Sequence, residues 1–511
     1  VGIVQTQRYR AVQRGAELAA LYCASCHLEP PPDSLPKRSW EAALGYMGYW
    51  LGIENIDYLD EAPEFARDNV ASRHAALVRD DFFPDAPLLN EEQWASLRNY
   101  YVTMAPQDPL PQTGKPPLRW ELPRFEVFRS SYRQPGAVTT LVHIREATGE
   151  IYVGDTAAQS LTVLDGDGQV VTVRQFRPAI SPVDIHFAGD TAYLASIGDV
   201  LAQQPASARP GHVSRLQLVA QGIADATSEV AVRNLYRMAD LEMADLTGDG
   251  RSDLIISGFG SLTGNVAWFQ ALPGGVFEQE ERVLLGLPGA VRTRAHDFND
   301  DGLLDIMALM SDAREGLHVF VNQAEGEFTQ ETVFETHAGY GHTYFELHDF
   351  NDDALMDVLV VNGDNVDSDP YNTRKNYHGI RIYLNRGGLR FEEAYFYPMY
   401  GAFNARAADF DADGDLDIAA ISFYPDYLSA RPEAFTYLEN QGALEFVAST
   451  SEEVLQGRWM TLDIGDIDAD GDVDVVLGGS YLSVGLTGYP DILNELLETG
   501  ESVLILKNTL N

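Results

Sequence analysis

The chain has 511 residues with 35 basic against 77 acidic side chains, a formal net charge of -42. That balance excludes nucleic acid as a partner, because its phosphates are met by Lys and Arg, and it disfavours anionic membrane surfaces. Apolar residues make up 45% of the chain, enough for sizeable cores, but no run approaches the roughly eighteen apolar residues of a membrane-spanning helix.

The opening on Val1, with neither a charged n-region nor an apolar h-region, reads as a chain whose signal peptide has been removed. Residues 1–105 read as helical. A first helix is expected over Gln13–Tyr22, carrying Ala16, Leu18, Ala19 and Leu21. A second is expected over Ser39–Leu51 with Ser39 as N-cap, and a third opening at Leu89-Asn90-Glu91-Glu92. Five prolines between Pro106 and Pro117 mark an extended linker over 106–119.

The first expected helix ends in Cys23-Ala24-Ser25-Cys26-His27, and these are the only two cysteines. CxxCH places two thiols one turn apart, where they reach both vinyl groups of one haem, and places an imidazole as proximal iron ligand. A redox CxxC needs a βαβ context, which this segment lacks. One covalent haem c is therefore expected on Cys23, Cys26 and His27. Met47 is a candidate sixth ligand by chemistry, with Met104 and His74 as alternatives.

The run CASCH, Pro30-Pro31, Trp40, Met47-Gly48 and Leu51-Gly52, closing with Tyr100-Tyr101 and Ala105-Pro106, resembles a short class of monohaem cytochrome c domains. The resemblance implies Met47 as the distal ligand.

From residue 120 the chain turns to short β-rich runs separated by Gly, Asp and Asn. Two irregular β-rich units are expected in 120–237, one of them including Ile151-Tyr152-Val153 and Leu161-Thr162-Val163-Leu164. Beyond 238 five copies of D-x-[DNT]-x-D-G-x-x-D recur at spacings of 52 to 60 residues. A long fixed period of β segments predicts a propeller of about seven blades, with six or eight open and a β-helix as runner-up.

The copies are Asp245, Thr247, Asp249, Asp253, then Asp297, Asn299, Asp301, Asp305, and Asp349, Asn351, Asp353, Asp357. The last two are Asp409, Asp411, Asp413, Asp417 and Asp466, Asp468, Asp470, Asp474. Oxygens at positions 1, 3, 5 and 9 can converge on a hard cation, with the carbonyl of position 7 (Arg251, Leu303, Leu355, Asp415, Asp472) completing the shell. Position 12 is apolar, so these are not EF-hands. Clustered carboxylates repel without a counter-ion, so up to five calcium ions are expected. The copies resemble FG-GAP, or VCBS, repeats of integrin-type seven-bladed propellers, clearest over 238–511. That resemblance implies structural calcium in an extracytoplasmic compartment. Thr247 and Ala354 depart from the pattern.

Three residues before each first Asp stand Glu242, Arg294, Glu346, Arg406 and Asp463, alternating in sign. Their pairing between blades is expected near the channel. The sharper alternative is an anion site using Arg292, Arg294, His342 and Arg406.

The expected fold is multidomain: an all-α cytochrome c domain (1–105), a linker (106–119), and an all-β propeller with calcium-binding blade loops (120–511). The expected function is extracytoplasmic electron transfer, periplasmic or extracellular, with the propeller docking a redox partner protein or a larger respiratory or surface assembly. Two alternatives stand beside it: a periplasmic haem-dependent dehydrogenase with its substrate in the channel, and an adhesive scaffold with a sensory haem. No catalytic residue is assigned.

Overall fold

A computed structural model describes residues 2–55, 57–60, 62–176, 180–198, 208–219, 222–223, 229–260, 262–312, 314–365, 369–455 and 457–510. Helices α1 (Gly2–Tyr22), α2 (Lys37–Trp50), α3 (Glu64–Arg79) and α4 (Glu91–Met104) form the N-terminal unit. Helix α4 opens on a capping box, in which Asn90 and Gln93 exchange side-chain to backbone bonds of 2.9 Å. Gly15 allows α1 to lie against α4, since a Cβ there would meet Ser96 O at 2.3 Å. Leu18, Trp40, Leu44, Trp94, Leu97 and Tyr101 fill the core between α1, α2 and α4.

Two expectations are corrected. Helix α2 begins at Lys37 with no side-chain cap, and the Ser39 hydroxyl instead bonds Thr373 Oγ1 at 2.7 Å. Helix α3 went unread because its apolar residues form no clear stripe; only Ala66, Val70 and Leu77 are buried core.

Among the described residues the remainder builds seven four-stranded antiparallel sheets, which decides the blade number. Blades 1 to 6 are sequential, with first strands Thr139–Arg145, Pro182–Ala188, Met238–Ala244, Ala290–His296, His342–His348 and Ala402–Ala408. Blade 7 joins Trp459–Gly465, Asp474–Gly479 and Val503–Asn508 to Phe125–Arg129, so a strand from before blade 1 closes the ring. The irregular 120–237 region thus holds blades 1 and 2 plus that closing strand. Each first strand contacts the first strands of both neighbours, which makes these seven strands the wall of the channel. A register shift after the first residue of every first strand repeats around the ring. A helix missed by sequence reading, α5 (Pro490–Thr499), lies inside the blade 7 insertion.

Antiparallel order fixes two ends. The loops between first and second strands, including all five Asp repeats, lie at one end. The loops between second and third strands, and between blades, lie at the other.

The helical unit sits on that second end. Leu28 pairs with His337 in the link between blades 4 and 5. Tyr371, in the long blade 5 loop, packs on Phe65 and under the Arg38 guanidinium. The Pro-rich stretch has no regular structure but is a pinned strap. Gln112 Nε2 donates to His378 O at 2.8 Å, Lys115 pairs with Glu433, and Arg119 N donates to Ala448 O at 2.9 Å.

Candidate functional site

The five Asp loops share one conformation, built by Asx-type bonding. The position 1 carboxylate accepts from the N–H of position 6 in every copy: Gly250 at 2.8 Å, Gly302 at 2.8 Å, Ala354 at 2.7 Å, Gly414 at 3.1 Å and Gly471 at 3.1 Å. Position 5 accepts from the N–H of position 7, at 3.0, 2.8, 2.9, 2.9 and 3.2 Å in chain order. Position 6 is left-handed throughout, and Ala354, at φ 66°, is its one non-glycine.

Position 9 carries more structure than the sequence reading gave it. Asp253, Asp305, Asp357, Asp417 and Asp474 are fully buried. One oxygen of each accepts the N–H of position 2 (Leu246, Phe298, Phe350, Phe410, Ile467). The other accepts an N–H at or just beyond the end of the blade's third strand (Ala271, Asn322, Asn385, Asn440, Asn508). In four copies each oxygen keeps a second lone pair, so this bracing does not spend the residue as a ligand, whereas Asp417 Oδ2 also accepts from the Tyr437 hydroxyl at 2.7 Å.

Sequence reading missed the asparagines in that list. Asn322 Nδ2 donates to Leu304 O at 3.0 Å in its own blade and to Leu246 O at 2.9 Å in the preceding one. Asn508 does the same with Val473 O at 3.3 Å and Phe410 O at 2.7 Å. Their signal was a recurrent Asn closing the third strand of blades 4 to 7, in Val-Phe-Val-Asn322, Tyr-Leu-Asn385, Tyr-Leu-Glu-Asn440 and Leu-Lys-Asn508.

The ligand positions fit a cation. The carboxylates of Asp409, Asp411 and Asp413 converge within 4.8 Å of one another, as do those of Asp466, Asp468 and Asp470. The buried oxygens Thr247 Oγ1, Asp411 Oδ1 and Asp472 Oδ1 have no hydrogen-bond partner, which is unusual for buried polar atoms. Burial, then Asp413 beside it, pushes the Asp411 carboxyl up, and burial with Asp470 takes Asp472 to about 6. Three loops already hold a protein cation: Arg251 on Asp249, Arg124 on Asp411 at 3.2 Å and Lys507 on Asp468 at 3.1 Å. The loops at 297–305 and 349–357 show no such partner among the described ion pairs, and Asn299 Nδ2 there donates to Asp301 at 3.0 Å.

The channel ring forms between blades. Arg294 pairs with Glu242 at 3.2 Å, and Arg406 bridges Glu346 at 2.5 Å and Asp463 at 2.9 Å. In blade 1 the equivalent position is His143, 3.4 Å from Asp463. Acids of the ring also cap the open edge of the next blade's first strand. Asp184 accepts Leu241 N at 3.0 Å, Asp240 accepts Thr293 N at 3.0 Å, Glu346 accepts Ala407 N at 3.1 Å and Asp463 accepts Ile144 N at 2.8 Å. An edge strand leaves N–H groups unpaired, and buried ones need acceptors. Arg292 also pairs with Asp240, at 3.5 Å, and His342 is buried. All three arginines of the suggested anion site are thus engaged by carboxylates.

Residues 245–308 and 297–360 match the family model of the FG-GAP-like repeat. This span of the propeller carries FG-GAP-like repeats. It covers the first three Asp loops, and the same hydrogen bonding recurs in the Asp loops of blades 6 and 7. The chain is also similar to Sqt1 of Saccharomyces cerevisiae, at 9% identity and TM-score 0.45, over 75% of this chain and 100% of that one. It is similar to the N-terminal domain of Nup159 at 10% identity and TM-score 0.43, over 78% and 98%. No curated protein matches.

On the opposite end from the FG-GAP loops, Cys23–Ser25 form a 3-10 turn after α1. Both thiols are free, Cys23 half-buried and Cys26 exposed. Burial pushes the Cys23 thiol up to about 11, the reverse of what an exchange-active thiol needs. His27 Nδ1 lies 2.9 Å from Leu28 O. As donor there it presents Nε2 as the free lone pair, the arrangement of a ligating imidazole.

Met47 is half-buried on α2 at helical spacing from Trp40, Leu44 and Leu51, which belong to or pack on the apolar cluster that Cys23 also packs against. Met104 is 54% exposed at the end of α4. His74 is wedged between Tyr49 and Phe83, with ring centroids at 4.5 and 5.0 Å and Nε2 buried without a partner. The thiol pair, the imidazole tautomer and the half-open Met47 suit a covalently held haem.

Proposed function

We propose that the protein is an extracytoplasmic c-type cytochrome: the helical unit carries one haem on Cys23 and Cys26, and the FG-GAP propeller is its docking platform. The observation that carries this is the Cys23/Cys26/His27 turn itself, with free thiols and an imidazole whose Nδ1 is tied to Leu28 O. His27 and Met47 would hold the haem iron, Trp40, Leu44 and Leu97 belong to the apolar cluster against which Cys23 packs, and the haem would supply one-electron chemistry.

Divalent calcium in the FG-GAP loops staples the far end of the propeller. Support comes from two loops that gather three carboxylates each and from the unpartnered oxygens of Thr247 and Asp411 at expected ligand positions. This suits a calcium-rich extracytoplasmic setting. Among the described residues no helix is long and apolar enough to cross a membrane. A paired channel favours docking over a substrate site there.

The test is expression in a host that matures c-type cytochromes. The expected result is a Soret band that survives acid-acetone extraction, and a polypeptide mass raised by one haem. Protein that is folded and colourless would overturn the reading.

A further inference from the structure

The link between blades 4 and 5, residues 336–342, carries His337, whose main chain pairs with that of Leu28 in the helical unit. One residue closes this link at both ends. Glu315, just before the third strand of blade 4 and 1% exposed, accepts the Thr336 N–H on its main-chain oxygen at 2.8 Å. Its carboxylate accepts three consecutive N–H groups further on: Tyr340 at 3.2 Å, Gly341 at 2.5 Å and His342 at 2.8 Å. Gly341, at φ 78°, lets the chain turn so that these donors converge.

His337 is fixed within the link in turn. Its carbonyl accepts the Tyr340 N–H at 2.9 Å, and its Nδ1 accepts the Gly339 N–H at 3.2 Å. Tyr340 and Tyr377 stack at 5.1 Å and meet the His337 ring edge-on at 5.6 and 5.3 Å. The Tyr377 hydroxyl and Lys375 Nζ both donate to Gly339 O, at 3.0 and 3.2 Å. A buried carboxylate is costly unless such donors meet it, so Glu315 is committed to the shape of this link. Burial still pushes its carboxyl up to about 8, against the pull of the His342 and Gly341 N–H groups and of Lys375. Asp312 also faces it, and Tyr340, Tyr377 and His342 lie around it in neutral form. The bracket therefore carries full charge above about 8 and loses it below.

We propose that Glu315 is a positioning residue for His27: through residues 336–342 and Leu28 it sets the orientation of the proposed axial imidazole, and with it the reduction potential of the haem. Each step is a contact. Glu315 holds the N–H groups of 340–342, the link holds Leu28, and the Leu28 carbonyl lies 2.9 Å from His27 Nδ1. The hydrogen bond on the outer nitrogen of a ligating imidazole fixes its ring and tunes the metal. The inference rests on the reading of the helical unit as a haem carrier.

The test is a redox titration of haem-loaded, full-length protein at about pH 6 and about pH 9, either side of the Glu315 value. Glu315→Gln keeps the size of the side chain but cannot take the charge. Its potential is expected to match wild type at the lower pH and to depart from it at the higher one. There the amides of 336–342 and of Leu28 should also exchange about tenfold faster than in wild type. Tyr377→Phe removes the hydroxyl from Gly339 O and leaves the charge in place. It should displace the potential at both pH values, and it decides the matter if the Gln variant does not fold. Asn322→Ala, at the other end of blade 4, should lose stability yet track the wild-type potential throughout. Parallel potentials for wild type and Glu315→Gln, or an equal displacement in Asn322→Ala, would overturn the proposal. Colourless protein would defeat the haem reading, and in it unchanged Leu28 exchange in Glu315→Gln would defeat this one as well.

Discussion

The main chain of Leu28, next to His27, pairs in parallel with that of His337 on the propeller. The Leu28 carbonyl is also the partner of His27 Nδ1. The propeller therefore holds the segment that orients the His27 imidazole.

Loosening the dock should be felt at the helices. Tyr371→Ala removes the ring packed on Phe65 at 5.7 Å and the face under Arg38 at 5.1 Å. An aromatic pair and a cation–π contact together contribute about 2 kcal/mol. Hydrogen exchange in α2 and α3 should accelerate while that of blades 1 and 2 stays unchanged. In haem-loaded protein the reduction potential should move as well, because the Leu28 carbonyl is less firmly held. Equal exchange across all elements would show that Tyr371 does not dock the helical unit.

The ring arginines should prove structural. Arg406 is 16% exposed between Glu346 and Asp463. Arg406→Met strands two carboxylates, and breaking a buried pair costs about 3–5 kcal/mol. Burial alone would raise the Glu346 carboxyl, but Arg406, with His348, overrides it and holds it at about 2. A depressed folded value means stability that is present above the unfolded carboxylate range and lost as pH falls from about 4.5 towards 2. Wild type should therefore lose stability mostly below pH 4.5, whereas in Arg406→Met burial raises the stranded Glu346 carboxyl, so the variant should be least stable above about 4.5 and the gap to wild type should narrow as pH falls. Denaturant midpoints across pH would measure this, and parallel profiles for the two proteins would contradict it.

Chelation should lower the melting temperature, and calcium should restore it more fully than magnesium at equal concentration. A ligand at a hundredfold excess over its Kd stabilises by about 2.7 kcal/mol. The loops at Asp409–Asp413 and Asp466–Asp470 offer three converging carboxylates each and should bind most tightly. Asp413→Ala should reduce the calorimetric stoichiometry by one. Stoichiometry unchanged in that variant would remove blade 6 from the set of cation sites.

Much of this was legible because it repeats. The Asp loops returned at a near-constant interval, and charges set at the same offset from each loop foretold the Arg294–Glu242 and Arg406–Glu346 pairs. What stayed hidden is long-range or unpatterned. Phe125–Arg129 closes blade 7 by pairing with Val503–Asn508, and nothing local announces a partner at that separation. Ser39 had the chemistry of a cap, but a propeller hydroxyl claimed it.

The third-strand asparagines give a sharper test of blade-to-blade bracing. Asn322→Ala leaves the carbonyls of Leu246 and Leu304 without this donor, in two different blades. An unmet buried group costs about 1–3 kcal/mol, so a loss of about 2–3 kcal/mol is expected by chemical denaturation. The substituted site does not touch the proposed haem residues, so a Soret spectrum should be unchanged.

Ala354 is a place where the chain can be improved. It occupies position 6 of the blade 5 loop at φ 66°, where the other four loops have glycine. A side chain in that left-handed region costs about 1 kcal/mol. At Gly250, Gly302, Gly414 and Gly471 an added Cβ would meet nothing within 4 Å, so the cost at 354 is conformational rather than steric crowding by neighbours. Ala354→Gly removes that strain but gives the unfolded chain more freedom, which opposes part of the gain. The net expectation is a stabilisation of up to about 1 kcal/mol, larger without calcium than with it if the ion already holds the loop in shape. A destabilised Ala354→Gly would mean that unfolded-chain entropy outweighs left-handed strain at this loop.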